Sequence, residues 1–341
     1  MTLAHVHPGA ATGPGTAELL TAVAALLVSV AYVLAAGRLR RRGDAWPRWR
    51  DVSFTAGGVA VAWAAVGGLP GGPFTGHMIQ HLVVGMAAPL LLVLARPLTL
   101  ALRALAPGRA RRFLLVLARS RPVGRLVFPP LAALLDVGGL WLLHRTELFA
   151  AMRHQPVLHG VVHAHMLAAG LLFAFAVCQL DPVGRRWSIA VRGGTLLAAG
   201  AAHGVLAKTL YALPPPGTDF TTADLHSGAR WMYYGGDVVE AALAVVLGVG
   251  WYTVGGRARA RRTRRSRYPS RRTLQPSDRQ GLPELPTVTG PDAASKQRLT
   301  DSAGALGEHR QLRDPEGNHE RDSTRYRRRS DTAEKAGHLS Q

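Results

Sequence analysis

The sequence predicts an all-α, polytopic membrane protein: a seven-helix transmembrane bundle followed by a disordered C-terminal tail. Three observations carry that expectation. Residues 17–254 are dominated by Ala, Leu, Val and Gly and break into seven apolar stretches, each near the roughly 20 residues a helix needs to cross a bilayer. The arginines alternate from loop to loop instead of scattering. Residues 257–341 are mostly Arg, Ser, Thr, Pro, Asp and Glu, too poor in apolar side chains to offset the entropy of ordering them.

The expected spans, in order, are Ala17–Gly37, Val52–Leu69, His77–Ala95, Val123–Leu143, Val157–Cys178, Ile189–Tyr211 and Trp231–Val254. Residues 1–16 form a short extracytoplasmic segment; they lack the basic start of a secretory signal, so the first stretch is expected to stay as a membrane helix. Pro70-Gly71-Gly72-Pro73 reads as a tight turn between the second and third spans, and Pro214-Pro215-Pro216-Gly217 opens a longer loop before the seventh. Phe113–Ala118 is apolar but too short to span and reads as interfacial. In the sixth stretch Arg192 and Lys208 narrow the apolar centre and are expected to snorkel toward opposite interfaces.

Arginine orients the bundle. The loops after the first, third and fifth spans carry clusters: Arg38 to Arg50, Arg96 to Arg125, and Arg185 to Arg192. The tail opens with Arg257, Arg259, Arg261 and Arg262. The alternate loops hold only Arg145, Arg153 and Arg230. The positive-inside rule therefore puts the N-terminus outside and the tail in the cytoplasm. The formal charge of +20 is explained by this placement, with lipid and not nucleic acid as the partner. The lone cysteine, Cys178, excludes a disulfide or a Cys-x-x-Cys metal or redox motif within one chain.

Eleven of the 14 histidines precede residue 230, and most fall near the outer ends of the spans. His77 and His81 share a helix face at the start of the third span; His159 and His163 repeat that i, i+4 spacing in the fifth. A lone interfacial histidine hydrogen-bonds to headgroups, water or a carbonyl. Two spaced pairs at a shared depth point instead to ligands for one metal ion, provided the third and fifth spans are neighbours. Imidazole suits copper, zinc, iron and nickel, and thioether favours Cu(I); Met78 and Met166 are auxiliary candidates. His165 points to another side of its helix. His203, Asp136, Asp237 and Glu240 are ionisable groups within the spans, costly unless paired; the acids are candidates for ligating a metal, for orienting a ligating imidazole, for relaying protons or for helix–helix contacts to His203 or Lys208. No nucleophile–base–acid set or phosphate-binding loop is present, so a non-enzyme is expected.

His77-Met78-Ile79-Gln80-His81-Leu82, Ala88-Pro89-Leu90-Leu91-Leu92 and Arg96-Pro97-Leu98-Thr99-Leu100 resemble the CtaG-type cytochrome c oxidase assembly family of Gram-positive bacteria. Trp141 to His144, Pro156, and His159-x-x-x-His163 with Gly170 extend the resemblance over roughly residues 17–254. Many relatives open the last span with a Gln-Gln-x-x-Gly-like stretch; this chain departs there, with Leu225-His226-Ser227-Gly228-Ala229-Arg230 and then Met232-Tyr233-Tyr234-Gly235-Gly236-Asp237. The resemblance implies a seven-span protein in the plasma membrane of a bacterium that helps deliver copper to a haem-copper oxidase subunit. The competing expectation is a haem-binding membrane electron carrier using paired histidines as axial ligands.

Overall fold

The computed structural model describes residues 15–182 and 186–267. All regular structure among them is helical: α1 (Thr16–Arg41), α2 (Arg48–Val66), α3 (Pro73–Leu94), α4 (Pro97–Ala104), α5 (Arg109–Ala118), α6 (Arg121–Leu126), α7 (Pro129–Arg145), α8 (Leu148–His154), α9 (Pro156–Cys178), α10 (Ile189–Ala212) and α11 (Thr222–Arg267). Five stretches are long and apolar enough to cross a membrane: α1, α3, α9, α10 and Thr222–Thr253 of α11. The expected second and fourth spans are helical but fall short of that standard. Arg48, Arg50 and Asp51 occupy the first turn of α2. The fourth divides, because Phe128 is extended ahead of Pro129; Val123 lies on α6, and the 17-residue α7 starts afresh. Proline biases its predecessor out of helical geometry.

Other boundaries move for local reasons. α3 begins at Pro73, four residues before His77, with proline at the first helical position, where its missing N–H costs nothing. The last helix begins at Thr222, because Thr221 accepts a hydrogen bond from the Asp224 amide through its Oγ1 (3.3 Å), an N-cap. It continues through Arg267 on an Ala- and Arg-rich run of good helix formers, past the expected end at Val254. The rest of the expected tail, and His5 and His7 near the N-terminus, lie outside the described residues.

α3 is the central helix. It packs on α2, α9 and α11, while α10 packs on α7 and α11, and α1 on α2. Large apolar side chains face outward along the periphery, among them Leu20 (70 % exposed), Leu197 (76 %) and Val238 (70 %). In water such faces would be costly; against lipid they are the expected finish.

Three devices hold α3 in register. Pro89 has no N–H to return to the Gly85 carbonyl, and the helix slips into a π-turn over Leu82–Ala87, where the Ala88 amide reaches back to Val83. α9 packs against the freed carbonyl at Gly170, where any Cβ would overlap the Gly85 oxygen; small residues permit such approach. At one end of α3, Asp224 of α11 accepts hydrogen bonds from the Phe74 amide (2.9 Å), the Thr75 amide (2.9 Å) and the Thr75 hydroxyl (2.6 Å). Near the other end, Asp181 accepts from the Leu98 and Thr99 amides (3.3 and 2.8 Å) and from the Thr99 hydroxyl at the start of α4. The Arg96-Pro97-Leu98-Thr99 motif thus forms a turn and a helix start, with Arg96 in the left-handed region (φ 55°).

The arginine-rich end is also fastened. Arg192 donates to the Val177 carbonyl (3.0 Å) in the last turn of α9, a cation at a helix C-terminus. Arg103 pairs with Asp44 (2.9 Å) and Arg40 with Asp51 (2.7 Å). α5 buries no residue, and Phe113 on it is 65 % exposed, consistent with an interfacial helix.

Candidate metal centre

The third and fifth expected spans, α3 and α9, are neighbours, and the structure sorts the candidate histidines into two groups. The first lies at the end of the bundle that holds the α2–α3 turn. His77 is on the second turn of α3, edge-on to the Phe149 ring at 4.7 Å. His144, on the last turn of α7, has its ring 5.5 Å from that of His77; His163 of α9 is 6.0 Å away, and His159 lies against His163 at 4.2 Å. His77 and His144 are buried, His163 and His159 half-buried.

The second group lies about 6 Å further along α3, four residues at the helical rise. His81 stands beside His203 of α10, with ring centroids 5.8 Å apart. His203 Nδ1 stands 3.5 Å from Glu240 Oε1 of α11. The expected set of His77, His81, His159 and His163 is therefore divided: three of them gather with His144, and His81 pairs with His203.

Hydrogen bonding distinguishes these rings further. His144 Nδ1 donates to the Leu140 carbonyl (3.0 Å), so in the neutral ring Nε2 carries the lone pair. That Nε2 is buried and has no protein partner; the same is true of His77 Nε2, His203 Nε2 and both ring nitrogens of His81. His163 has an oxygen at each nitrogen: Nδ1 faces the His159 carbonyl (2.8 Å) and Nε2 the Gln80 side-chain oxygen (2.8 Å), and the neutral ring donates to one of the two, while the Gln80 amide donates to Ala64 on α2 (2.9 Å). Gln80, within the quoted motif, is thus a brace between α2 and α9.

The auxiliary candidates scatter. Met78 is in the apolar core against Gly228 of α11. Met166 is in the same core and lines a cavity of about 270 Å³, as do His81, Asp136 and His165. His165 Nε2 lies 3.1 Å from the Leu135 carbonyl of α7, a helix–helix tie. Glu240 faces His203, whereas Asp237 is exposed beside Lys208 and Tyr233. His226 stacks on Tyr211 at 3.9 Å, away from both groups.

Buried polar atoms normally find partners, and each left without one costs about 1–3 kcal/mol. Five such imidazole nitrogens on four neighbouring rings therefore call for a reason, and cation ligation is one that this donor chemistry fits. Two imidazoles on one ion, at metal–nitrogen bonds of ~2.0 Å, have ring centroids roughly 5–6 Å apart; the His77–His144, His77–His163 and His81–His203 pairs meet that spacing. Among the described residues, no three His, Cys, Asp or Glu side chains converge on a point as they stand, so an ion has to turn the rings toward itself. His144 has no i, i+4 histidine partner in the sequence, because its partners lie on other helices; its one local signal is its place at the end of the Trp141-Leu-Leu-His144 stretch.

An all-helical bundle with several membrane-length helices and histidines gathered toward one end defines a class of helical membrane protein built around imidazole. The chain belongs to the cytochrome c oxidase caa3 assembly factor family, whose model matches residues 30–254. It is similar to an uncharacterized protein of Mycobacterium leprae (32 % identical over 196 residues, 54 % of this chain and 30 % of that protein). Uncharacterized proteins of Mycobacterium bovis and Mycobacterium tuberculosis give 32 % over 195 residues, with the same shares. The chain thus spans 30 % of the length of these curated relatives. No solved structure matches.

Proposed function

We propose that this protein is an assembly factor for a haem-copper oxidase that binds copper at the outer face of the plasma membrane and passes it to an oxidase subunit. In this reading α2 and α7 cross with the five longer helices, and the arginine-rich loops and tail lie in the cytoplasm. The histidine-bearing end then faces outward. Copper is cargo, so the protein's work is binding and release, not turnover.

The observation that carries the reading is the His77–His144 pair: two buried rings at ligand spacing, each with an Nε2 that no protein group satisfies. His159 and His163 are less buried and closer to the mouth, where they suit first capture. The steps from His159 to His163 to His77 to His144 are short, so imidazoles can exchange on an ion one at a time. A soft Cu(I) ion accepts low coordination numbers and imidazole donors, which suits such exchange. Gln80 has to release His163 for it to ligate, tying capture to the α2–α9 brace.

The haem reading is less favoured. The chamber between His81 and His203 is only about 20 Å³, room for an ion and not for a porphyrin. A Soret band in the purified protein would reverse that ranking.

The test is retention of Cu(I) against a competing chelator by the purified full chain, with oxidase activity in cells as a second readout. His77→Ala and His163→Ala are each expected to weaken retention and lower oxidase activity, while His226→Ala leaves both unchanged. Copper stoichiometry unchanged in a His77/His144 double variant would overturn the ligand assignment.

A further inference from the structure

A second polar site lies inside the bundle, deeper than the outer cluster and independent of whether that cluster binds copper. Its centre is a chamber of about 20 Å³ whose polar and sulfur-bearing walls are His81 and Met86 of α3, Asp136 of α7, His203 of α10 and Glu240 of α11. That volume admits one ion or one water. Four helices each send a donor to it.

The site is built into the packing. Gly200 of α10 leaves the space that the Glu240 carboxylate fills, and Gly236 of α11 leaves the space that the His203 ring fills; a Cβ at either would overlap its guest. The two helices have exchanged notches, each seating the other's polar side chain. A helix–helix contact needing only close packing would seat an apolar group there. Glu240 stands beside Nδ1 of His203, the placement in which a carboxylate orients a ligating imidazole by its second nitrogen. The opposite nitrogen, Nε2, has no protein partner, nor has either nitrogen of His81; the two rings are 96 % and 95 % buried. Gly85, one turn after His81, gives its Nδ1 edge room to lie over the helix.

We propose that this chamber binds one divalent cation of the late first transition row through His81, His203 and Asp136, with Glu240 orienting His203 from its other ring nitrogen. Charge selects the class: two carboxylates and two neutral imidazoles around an M²⁺ ion leave no net charge, the condition under which burial among membrane helices costs least. The mixed nitrogen and oxygen donors suit Zn²⁺, Cu²⁺ or Co²⁺ over Mg²⁺ or Ca²⁺, which demand all-oxygen shells. Met86 adds a thioether at the wall that only a softer ion would use. The donors ring the chamber without yet converging, so binding draws the rings inward by side-chain rotation.

The test uses Co²⁺ as a visible probe on the full chain purified in detergent, with Zn²⁺ as competitor. The wild type is expected to give one equivalent of Co²⁺ with d–d absorption that Zn²⁺ abolishes and excess Mg²⁺ does not. Glu240→Gln, which keeps size and removes charge, and His203→Asn are each expected to weaken Co²⁺ about 10–100-fold. His77→Ala is expected to leave the spectrum unchanged, so failure here is separable from failure of the outer copper site. Size-exclusion elution matching wild type is required of each variant, and Glu240→Gln alone suffices where His203→Asn misfolds. Absence of the d–d bands from the wild type, equal affinity in Glu240→Gln, or loss of the bands in His77→Ala would each overturn the proposal.

Discussion

Replacing Asp224 with alanine tests how α3, the helix that carries both histidine groups, is held. The carboxylate of Asp224 accepts three hydrogen bonds, from the Phe74 and Thr75 amides and the Thr75 hydroxyl, and the residue is 9 % exposed. In the alanine variant the Thr75 hydroxyl still has the residue-224 carbonyl at 3.1 Å, so its loss is small. The two amides have no such reserve. Both belong to buried residues at the first turn of α3, where helix N–H groups have no internal partner. At about 1–3 kcal/mol per buried donor left unsatisfied, and allowing for partial rescue by water at the bundle end, the cost is about 2–4 kcal/mol. That corresponds to a fall in Tm of roughly 5–15 °C for a unit of this size. Asp224→Asn retains one oxygen acceptor but turns an amide toward the second N–H, and should lose about half as much. The assay is thermal unfolding in detergent, followed by helical circular dichroism, with a double-mutant cycle to Thr75→Ala. A coupling of ~1 kcal/mol is expected for groups in direct contact. A Tm change under about 2 °C in Asp224→Ala, with no coupling to Thr75, would refute the idea that this clamp sets the position of α3.

Two further predictions address packing and topology. Gly170→Val should separate α9 from α3, because the side chain meets the Gly85 carbonyl; overpacking costs about 1–3 kcal/mol or more. Cross-linking of cysteines introduced at Gln80 and His163 should fall with it, and unchanged cross-linking would show the approach is not needed. A reporter fused within the α1–α2 loop, after Arg42, should be active only in the cytoplasm; activity on the outer side would invert the orientation assigned to the histidine-bearing end.

The sequence by itself determined the helical class and the long apolar helices; the adjacency of α3 and α9 it left as a condition, which the packing met. The first two were legible because apolar length and 3.6-residue periodicity are local properties, readable wherever they occur. The i, i+4 spacing also placed His159 and His163 on one face of their helix, and His77 and His81 on one face of theirs. The tertiary structure alone decided which rings share a group. His81 lies on nearly the same face as His77, yet the small rotation between them turns it toward α10, and His203 waits there only because Gly236 makes room. His144 joins His77 because α7 packs beside α9, a choice no spacing within α7 records. The motif around Arg96 and Thr99 took its meaning from Asp181, more than 80 residues away. Local chemistry names the donors; which of them meet is fixed by close packing between helices, where one missing Cβ or one freed carbonyl decides the contact.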